Sequence, residues 1–491
     1  MNAMASRIRF VLLRTVLTGL IFLTLASCAV NPATGEQQLS FLSEAQEIEM
    51  GRESDPEIVA SMGLYPDDDL QEYVQELGRE LAGASERPDL PWTFRLLDQP
   101  AVNAFAVPGG FIYVTRGILA YLQSEAELVG ILGHEIGHVT ARHSVNRISR
   151  AQLAQLGLGV GMILAPELQR FQNLAGASLQ LLFLKFSRDD ERQADQLGVR
   201  YMSRVGYEPA ELSGVMGMLS QVTSAGGGQE VPEWLSTHPN PENREERILE
   251  MAREAEVAGG PVRVDREAFL RRLDGLVFGE NPRNGFFQGE AFYHPDMAFR
   301  MDFPRGWNTA NLAQAVQGVS PEEDAIVVLS LAREGTPAQA LETFLGQEGL
   351  EAGPVSRSPV NGNPAASAPF RATAEQGALE GRALFVQHQG QVFQLLGYAP
   401  EADWSGRQGA VVSSLTSFRA LTDPSYLNVQ PTRLKVRTLQ RSMPLSALLR
   451  QEGVEGRAQD VRLLNRLEGD PTLEAGRMVK IPVGGDLPGS L

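Results

Sequence analysis

The chain has 491 residues, 43% of them hydrophobic and 21% charged, with a formal net charge of −17. That length suits about two to four compact units rather than one, and the composition excludes a disordered or fibrous chain. The acidic balance argues against nucleic acid or an anionic lipid surface as a partner.

Arg7, Arg9 and Arg14 precede an uncharged apolar run from Val16 to Leu25. The run is too short to span a bilayer and has the form of an export signal over residues 1–27. It ends in Leu25-Ala26-Ser27-Cys28, which resembles a bacterial lipobox; the alternative is an ordinary signal in which Cys28 is incidental. The resemblance implies lipidation of Cys28, and Ala29 in place of an aspartate implies anchoring on the periplasmic side of the outer membrane. Cys28 is the only cysteine, so no intrachain disulfide can form. With that cysteine lipidated, a metal site has only His, Asp and Glu to draw on.

Residues 28–42 read as a tether, rich in turn formers through Asn31-Pro32-Ala33-Thr34-Gly35. Helical periodicity runs from Ser43 through Gly51 and again from Asp68 to Ala84. Strands are predicted over Thr93 to Leu97, Asn103 to Val107 and Phe111 to Thr115, the last two joined by Pro108-Gly109-Gly110. Ser124 and Glu127 form a capping-box pair that opens a central helix reaching about His143. An apolar stretch from Ala151 to Ala165 reads as a buried helix, and another helix spans about Leu174 to Val205. After the turn Gly206 to Pro209, helices are predicted from Ala210 to about Val222 and from Glu242 to Ala255, with Gly226-Gly227-Gly228 as a spacer.

Gly259-Gly260-Pro261 closes this first domain (43–258), and 259–284 reads as a linker segment. Residues 285–424 form an α+β domain of unassigned role. Its strands are Met297 to Phe303 and Ala325 to Leu331, with a hairpin of Arg382 to His388 and Val392 to Tyr398; its helices are Pro337 to Leu345 and Gly409 to Leu421. Thr422 to Pro431 leads to a third compact unit, 432–485. No helical repeat array is present.

The central helix contains Gly133-His134-Glu135-Ile136-Gly137-His138. A four-residue step is about one helical turn, so both imidazoles project from one face and can hold one ion. Glu135 lies roughly 100° around the helix, where it can take a proton from a water on that ion and pass it to a leaving amine. Two histidines do not close a site. Glu191, in Ser187-Arg188-Asp189-Asp190-Glu191-Arg192-Gln193-Ala194-Asp195, is the best third candidate, with Asp195 one turn further on able to orient a ligand imidazole. Spacing alone leaves this acidic segment equally readable as a solvated helix face. His143 suits packing or hydrogen bonding, while His294 and His388 lie in the second domain, away from this chemistry.

His134 to His138 followed by Glu191 and Asp195 resembles the zinc metallopeptidase family forty-eight, which includes HtpX and the CAAX prenyl endopeptidases. Within it, the chain is similar to the bacterial periplasmic lipoprotein subgroup of the beta-barrel assembly-enhancing proteases. The resemblance implies a mainly α zincin-type (gluzincin) domain with a small edge sheet. It also implies one Zn2+ on His134, His138 and Glu191, Glu135 as catalytic base, and Asp195 behind the ligands. It makes Asn103-Ala104-Phe105-Ala106 an edge strand that binds an extended peptide. Thr237-His238-Pro239 with Arg244 also matches: His238 would cap the zinc in a latent form, or stabilise the oxyanion together with Arg244. Without the resemblance, His238-Pro239 reads as a surface turn. Leu434 to Pro482 resembles a LysM-like βααβ module through Leu463-Leu464-Asn465 and Gly476 to Pro482, but Arg441-Ser442-Met443-Pro444 departs where such modules carry Gly-Asp-Thr. Its implied partner is peptidoglycan, and a docking role is the alternative.

The expected function is a zinc-dependent endopeptidase of the cell envelope acting on unfolded or misassembled envelope proteins. The alternatives are a latent zinc protein that acts as a chaperone-like binder, or a cell-wall-associated adaptor.

Overall fold

The structure is a computed structural model; it describes residues 28–155, 185–225, 232–238, 243–255, 262–332, 335–374 and 377–489. The export signal, most of the apolar stretch from Ala151 to Ala165, the first part of the helix expected from Leu174, and the spacers at 226–228 and 259–261 lie outside the described residues. The chain is multidomain, with helices and several sheets. Its described residues divide into two compact units: those up to 59, within 64–276 and within 435–481 form one, and those within 60–63, 277–434 and 482–489 the other.

The first unit is built round the helix Glu125–Thr140, every residue of which is buried. A helix apolar on all sides belongs in a core, with neighbours on each face. Here these are the helices Asp68–Gly83, Arg188–Arg204 and Glu211–Ala225. Ser124 Oγ accepts the Glu127 N–H at 3.2 Å, as the capping pair predicts. The reciprocal bond differs, because the Glu127 carboxylate takes the N–H of Gln123 instead, at 2.8 Å. The helix also stops earlier than expected. Ala141 caps it, Arg142 turns to φ +59°, and a separate helix starts at His143. Arg87 helps to end it by donating to the carbonyl of Val139 (3.0 Å) while its other bonds hold the buried Glu47 of helix Glu44–Met62.

The strands β1 (Cys28–Val30) and β2 (Gln37–Leu39) form a hairpin, so the expected tether is an ordered element. β3 (Thr93–Leu97), β4 (Ala104–Val107) and β5 (Phe111–Thr115) make a sheet in the order β3-β5-β4, with β3 parallel and β4 antiparallel to β5. β4 is therefore an edge. The helix Arg188–Arg204 begins with a Ser187–Asp190 capping box. Residues 185–187 before it are not helical, so the helix expected from Leu174 starts only at Arg188. The segment 259–284, expected as a linker, carries the helix Arg266–Arg272, whose Phe269 and Leu270 enter the core.

Residues 435–481 pack into this same unit. Their elements run strand Arg433–Thr438, helix Leu445–Glu452, helix Ala458–Asn465 and strand Met478–Val483, the two strands paired. Asn465 ties the second helix to the last strand, donating to Lys480 O (2.7 Å) and accepting from Lys480 N–H (2.8 Å). Against the start of the central helix, Arg466 makes a two-pronged ion pair with Glu127 at 2.7 and 2.8 Å. Lys480 Nζ donates to the carbonyls of Ala120 and Leu122, each at 2.6 Å.

The second unit holds a seven-stranded antiparallel sheet in the order Leu350–Ala352, Ala365–Ala374, Gly377–His388, Gln391–Pro400, Ile326–Leu331, Ala315–Val319, Asn308–Asn311. A four-stranded sheet accompanies it, and Phe292, Phe299, Phe393 and Phe418 fill the core. The helix expected over Gly409 to Leu421 runs earlier, over Glu401–Thr416. Pro400 as N-cap with acidic Glu401 and Asp403 in the first turn sets that start. Phe418 then enters the core, and Arg419–Ala420 pairs as a strand.

Candidate metal centre and active site

His134 and His138 lie one turn apart on the central helix, and their Nε2 atoms converge to 3.0 Å. Glu191 reaches them from the helix Arg188–Arg204, its carboxylate 3.6 Å from His134 Nε2 and 3.4 Å from His138 Nε2. Glycines allow this approach. A Cβ on Gly137 would stand 3.0 Å from the carbonyl oxygen of Ala194, and one on Gly133 would stand 3.2 Å from Gly198 Cα. The two helices thus meet backbone to backbone, and a glutamate side chain is long enough to close the cluster.

His238, at the end of the short helix Glu233–Thr237, completes it. Its Nδ1 is 2.9 Å from Glu191 and 3.3 Å from His134 Nε2. One ligand atom from each of His134, His138, Glu191 and His238 lies within 4.8 Å of the others, and all four residues are buried. His238 is a buried member of this set, not a surface turn.

The surrounding groups hold the side chains of this cluster in place. Asp195 Oδ1 lies 3.0 Å from His134 Nδ1, as expected for an orienting carboxylate. Burial raises the Asp195 pKa, but the charge of Arg244 and the bond to His134 outweigh it and leave the carboxyl below its usual value. Arg244 donates twice to Asp195 (2.8 and 2.7 Å) and stands 3.0 Å from Glu191 Oε2 as an ion pair. Its guanidinium is thus engaged by two carboxylates, Asp195 and Glu191. Burial holds the His138 pKa well below the imidazole value, which keeps it in the neutral form that a metal ligand needs.

Glu135 is fully buried. One oxygen accepts from Trp234 Nε1–H at 3.2 Å, and Oε2 has no hydrogen-bond partner among the described residues. Burial pushes this carboxyl up to about 7. Asn103, Ala104, Phe105 and Ala106 lie at or on the edge strand; Asn103 Oδ1 is also buried, with no hydrogen-bond partner among the described residues.

Sequence reasoning missed Trp234, which stacks on His238 with ring centres 4.7 Å apart, and Phe186, whose ring centre is 3.9 Å from that of His138. Spacing carries no signal for either. His143 bonds to His138, Nδ1 to Nδ1 at 2.9 Å, in keeping with the hydrogen-bonding role suggested for it. His388, in the second unit, bonds to Asn363 and to the Ala298 carbonyl.

A buried pair of histidines one helical turn apart, closed by a glutamate from a second helix and flanked by a further glutamate, defines a metallopeptidase-type centre. The model of peptidase family M48 matches residues 68–252, a stretch that contains every member of the cluster. It is 31% identical over 221 residues to the beta-barrel assembly-enhancing protease of Yersinia pestis, covering 43% of this chain and 45% of that protein. The counterpart in Escherichia coli (strain K12) is 28% identical over the same shares. The mitochondrial metalloendopeptidase OMA1 of Arabidopsis thaliana is 31% identical over 184 residues, 37% of this chain and 36% of that one. The chain therefore spans less than half the length of these relatives.

Proposed function

We propose that the chain is a zinc-dependent endopeptidase of the cell envelope, hydrolysing peptide bonds of unfolded or misassembled envelope proteins. The observation that carries this reading is the convergence of His134, His138 and Glu191 beside a buried, half-satisfied Glu135. The donor set suits the metal. Two imidazole nitrogens that face each other at 3.0 Å, with the buried Glu191 carboxylate 3.4 Å from one of them, gain a shared partner when an ion sits between them. Imidazole and carboxylate without sulfur, held by four protein groups, fit zinc. When bound, zinc polarises the scissile carbonyl and acidifies water.

The chain's own residues do the rest. Glu135, with a pKa near the working pH, accepts the proton of the attacking water on its unpartnered oxygen and returns it to the leaving amine. Trp234 keeps the other oxygen fixed. The edge of β4 adds an extended peptide as a further strand, which suits unfolded segments, and Asn103 Oδ1 offers an acceptor beside it. Envelope substrates follow from the relatives named as beta-barrel assembly-enhancing proteases. The lipid anchor at Cys28 and the outer-membrane location rest on the lipobox. Among the described residues, no helix is long and apolar enough to cross a membrane.

The position of His238 favours a second reading of the same centre. With it, four protein ligands close the site, whereas a hydrolytic metal keeps one position open. The arrangement is the latent form, and His238 must leave before substrate enters. The LysM-like reading of 432–485 is supported by the strand-helix-helix-strand order, and the use of Arg466 and Lys480 against the peptidase core favours docking over glycan binding.

The test uses the detergent-solubilised full chain, with zinc content and cleavage of an unfolded model protein measured on one sample. One zinc per chain, cleavage abolished by Glu135→Gln and raised by His238→Ala are expected. A preparation that binds no zinc overturns the proposal.

A further inference from the structure

His134 and His138 are held from behind by different chemistry. His134 leans on a carboxylate, whereas His138 leans on a neutral chain that begins at the extreme N-terminus of the described residues. We propose that Asn31 and Gln193 are positioning residues for the metal centre, acting through His143 to fix which nitrogen of His138 faces the ion. The inference rests on the metal reading above. Asn31 lies outside the stretch 68–252 that matches the family model.

Proton placement follows link by link. His138 presents Nε2 to the cluster, so a neutral ring carries its hydrogen on Nδ1. That nitrogen is 2.9 Å from His143 Nδ1, which must then accept. A neutral His143 accepting on Nδ1 carries its own hydrogen on Nε2, and that atom is 2.9 Å from Gln193 Oε1. Asn31 Nδ2 donates to the same oxygen at 3.2 Å, so the Gln193 amide is held with its oxygen toward His143. If that amide turned over, its NH2 would meet two donors.

The far end of the chain is itself pinned. Asn31 is buried at 6% exposure. Its Oδ1 accepts the Ala33 N–H at 2.9 Å, which leaves only the NH2 for Gln193. Its backbone closes the hairpin turn, donating to Glu36 O at 2.7 Å and accepting from Gly35 N–H at 2.8 Å. Pro32 and Gly35, the latter at φ +77°, supply the fixed and the left-handed backbone that the turn needs. Of the carboxylates that act on His143, Asp190 lies 3.7 Å from its Nε2 with its Oδ2 occupied by the cap of its own helix, and Glu191 belongs to the cluster itself. One arrangement of hydrogens satisfies every link from the hairpin to the ligand.

The experiment measures zinc affinity of the full chain by chelator competition, a readout independent of turnover, with thermal unfolding as the check on folding. Removing an outer partner of a ligand histidine costs roughly 10–100-fold in metal affinity. Gln193→Ala and Asn31→Ala are expected to fall in that range, and the double variant to be no weaker than Gln193→Ala, because Asn31 acts through Gln193. Gln193→Glu keeps the acceptor and is expected to hold affinity within a few-fold. Asn31→Asp separates the relay from the turn: it keeps the acceptor for Ala33 but loses the donor. Gln193 then turns over to satisfy it, and zinc affinity should drop as in Asn31→Ala while the unfolding temperature holds. Unchanged zinc affinity in Asn31→Asp, or equal losses in Gln193→Glu and Gln193→Ala, overturns the proposal alone. A wild-type chain that binds no zinc overturns it together with the metal reading.

Discussion

The two ends of the helix Glu125–Thr140 bury the same kinds of side chain to opposite effect. At its start, every buried carboxylate oxygen has a partner. Glu125 accepts from Tyr73 at 2.6 Å, from Arg263 at 3.2 Å and from Tyr207, and Glu127 accepts from Gln123 and Arg466. Toward its end, Glu135 Oε2 is equally buried and has no hydrogen bond among the described residues, and Glu191 Oε2 has the Arg244 ion pair in place of a hydrogen bond. A buried oxygen without a partner is costly, about 1–3 kcal/mol. The fold has closed one end as a joint and left the other end open, and a buried unsatisfied oxygen marks where a ligand belongs.

The largest effect expected is on chemistry. Glu135→Gln should lower turnover by about 10²–10⁴-fold while zinc content and unfolding temperature hold, since the change removes a proton carrier and little else. Loss of folding instead would make that end a joint as well. Next comes metal removal. Stripping the ion with a chelator should abolish cleavage and lower stability by about 3–4 kcal/mol at free zinc of 100–1,000 times the dissociation constant, read by denaturant unfolding with and without zinc.

At the other end, Arg466→Ala should cost about 2–4 kcal/mol by leaving Glu127 buried without its charge partner; the partly exposed guanidinium puts this at the lower side of the usual range. Zinc affinity should not change. The double variant Glu127→Met with Arg466→Met should cost less than Arg466→Ala, which would show that the pair serves fit more than net stability. Smallest is Lys480→Met, about 1–3 kcal/mol, because two buried carbonyls lose their donor. A fall in zinc affinity in any of these three joint variants would erase the contrast between the two ends.

Much of this helix was readable from spacing. The pair His134 and His138, Glu135 between them and Ser124 before them are separations along one helix, and helical geometry turns such separations into faces. Glu191 was readable only through the family pattern, because its approach depends on Gly133 and Gly198 letting two backbones touch. Trp234, Gln193 and Asn31 were not readable at all. They reach the site through contacts across 99, 50 and 162 residues, and no local period records such meetings. The hairpin at Asn31 shows the limit most clearly: its Pro and Gly announce a turn correctly, yet say nothing about what the turn lies against.

The joint at the helix start also has a history in time. Glu127 precedes Arg466 by 339 residues, and Ala120 precedes Lys480 by 360. At ribosomal speeds of about 5–20 residues per second, a nascent chain would make these partners roughly 20–70 s after the helix they secure. During that interval Glu127 keeps its bond from Gln123 but lacks its charge partner, and the carbonyls of Ala120 and Leu122 lack the Lys480 ammonium. A chain that begins life able to place its two histidines therefore receives the piece that locks their helix 339 residues later.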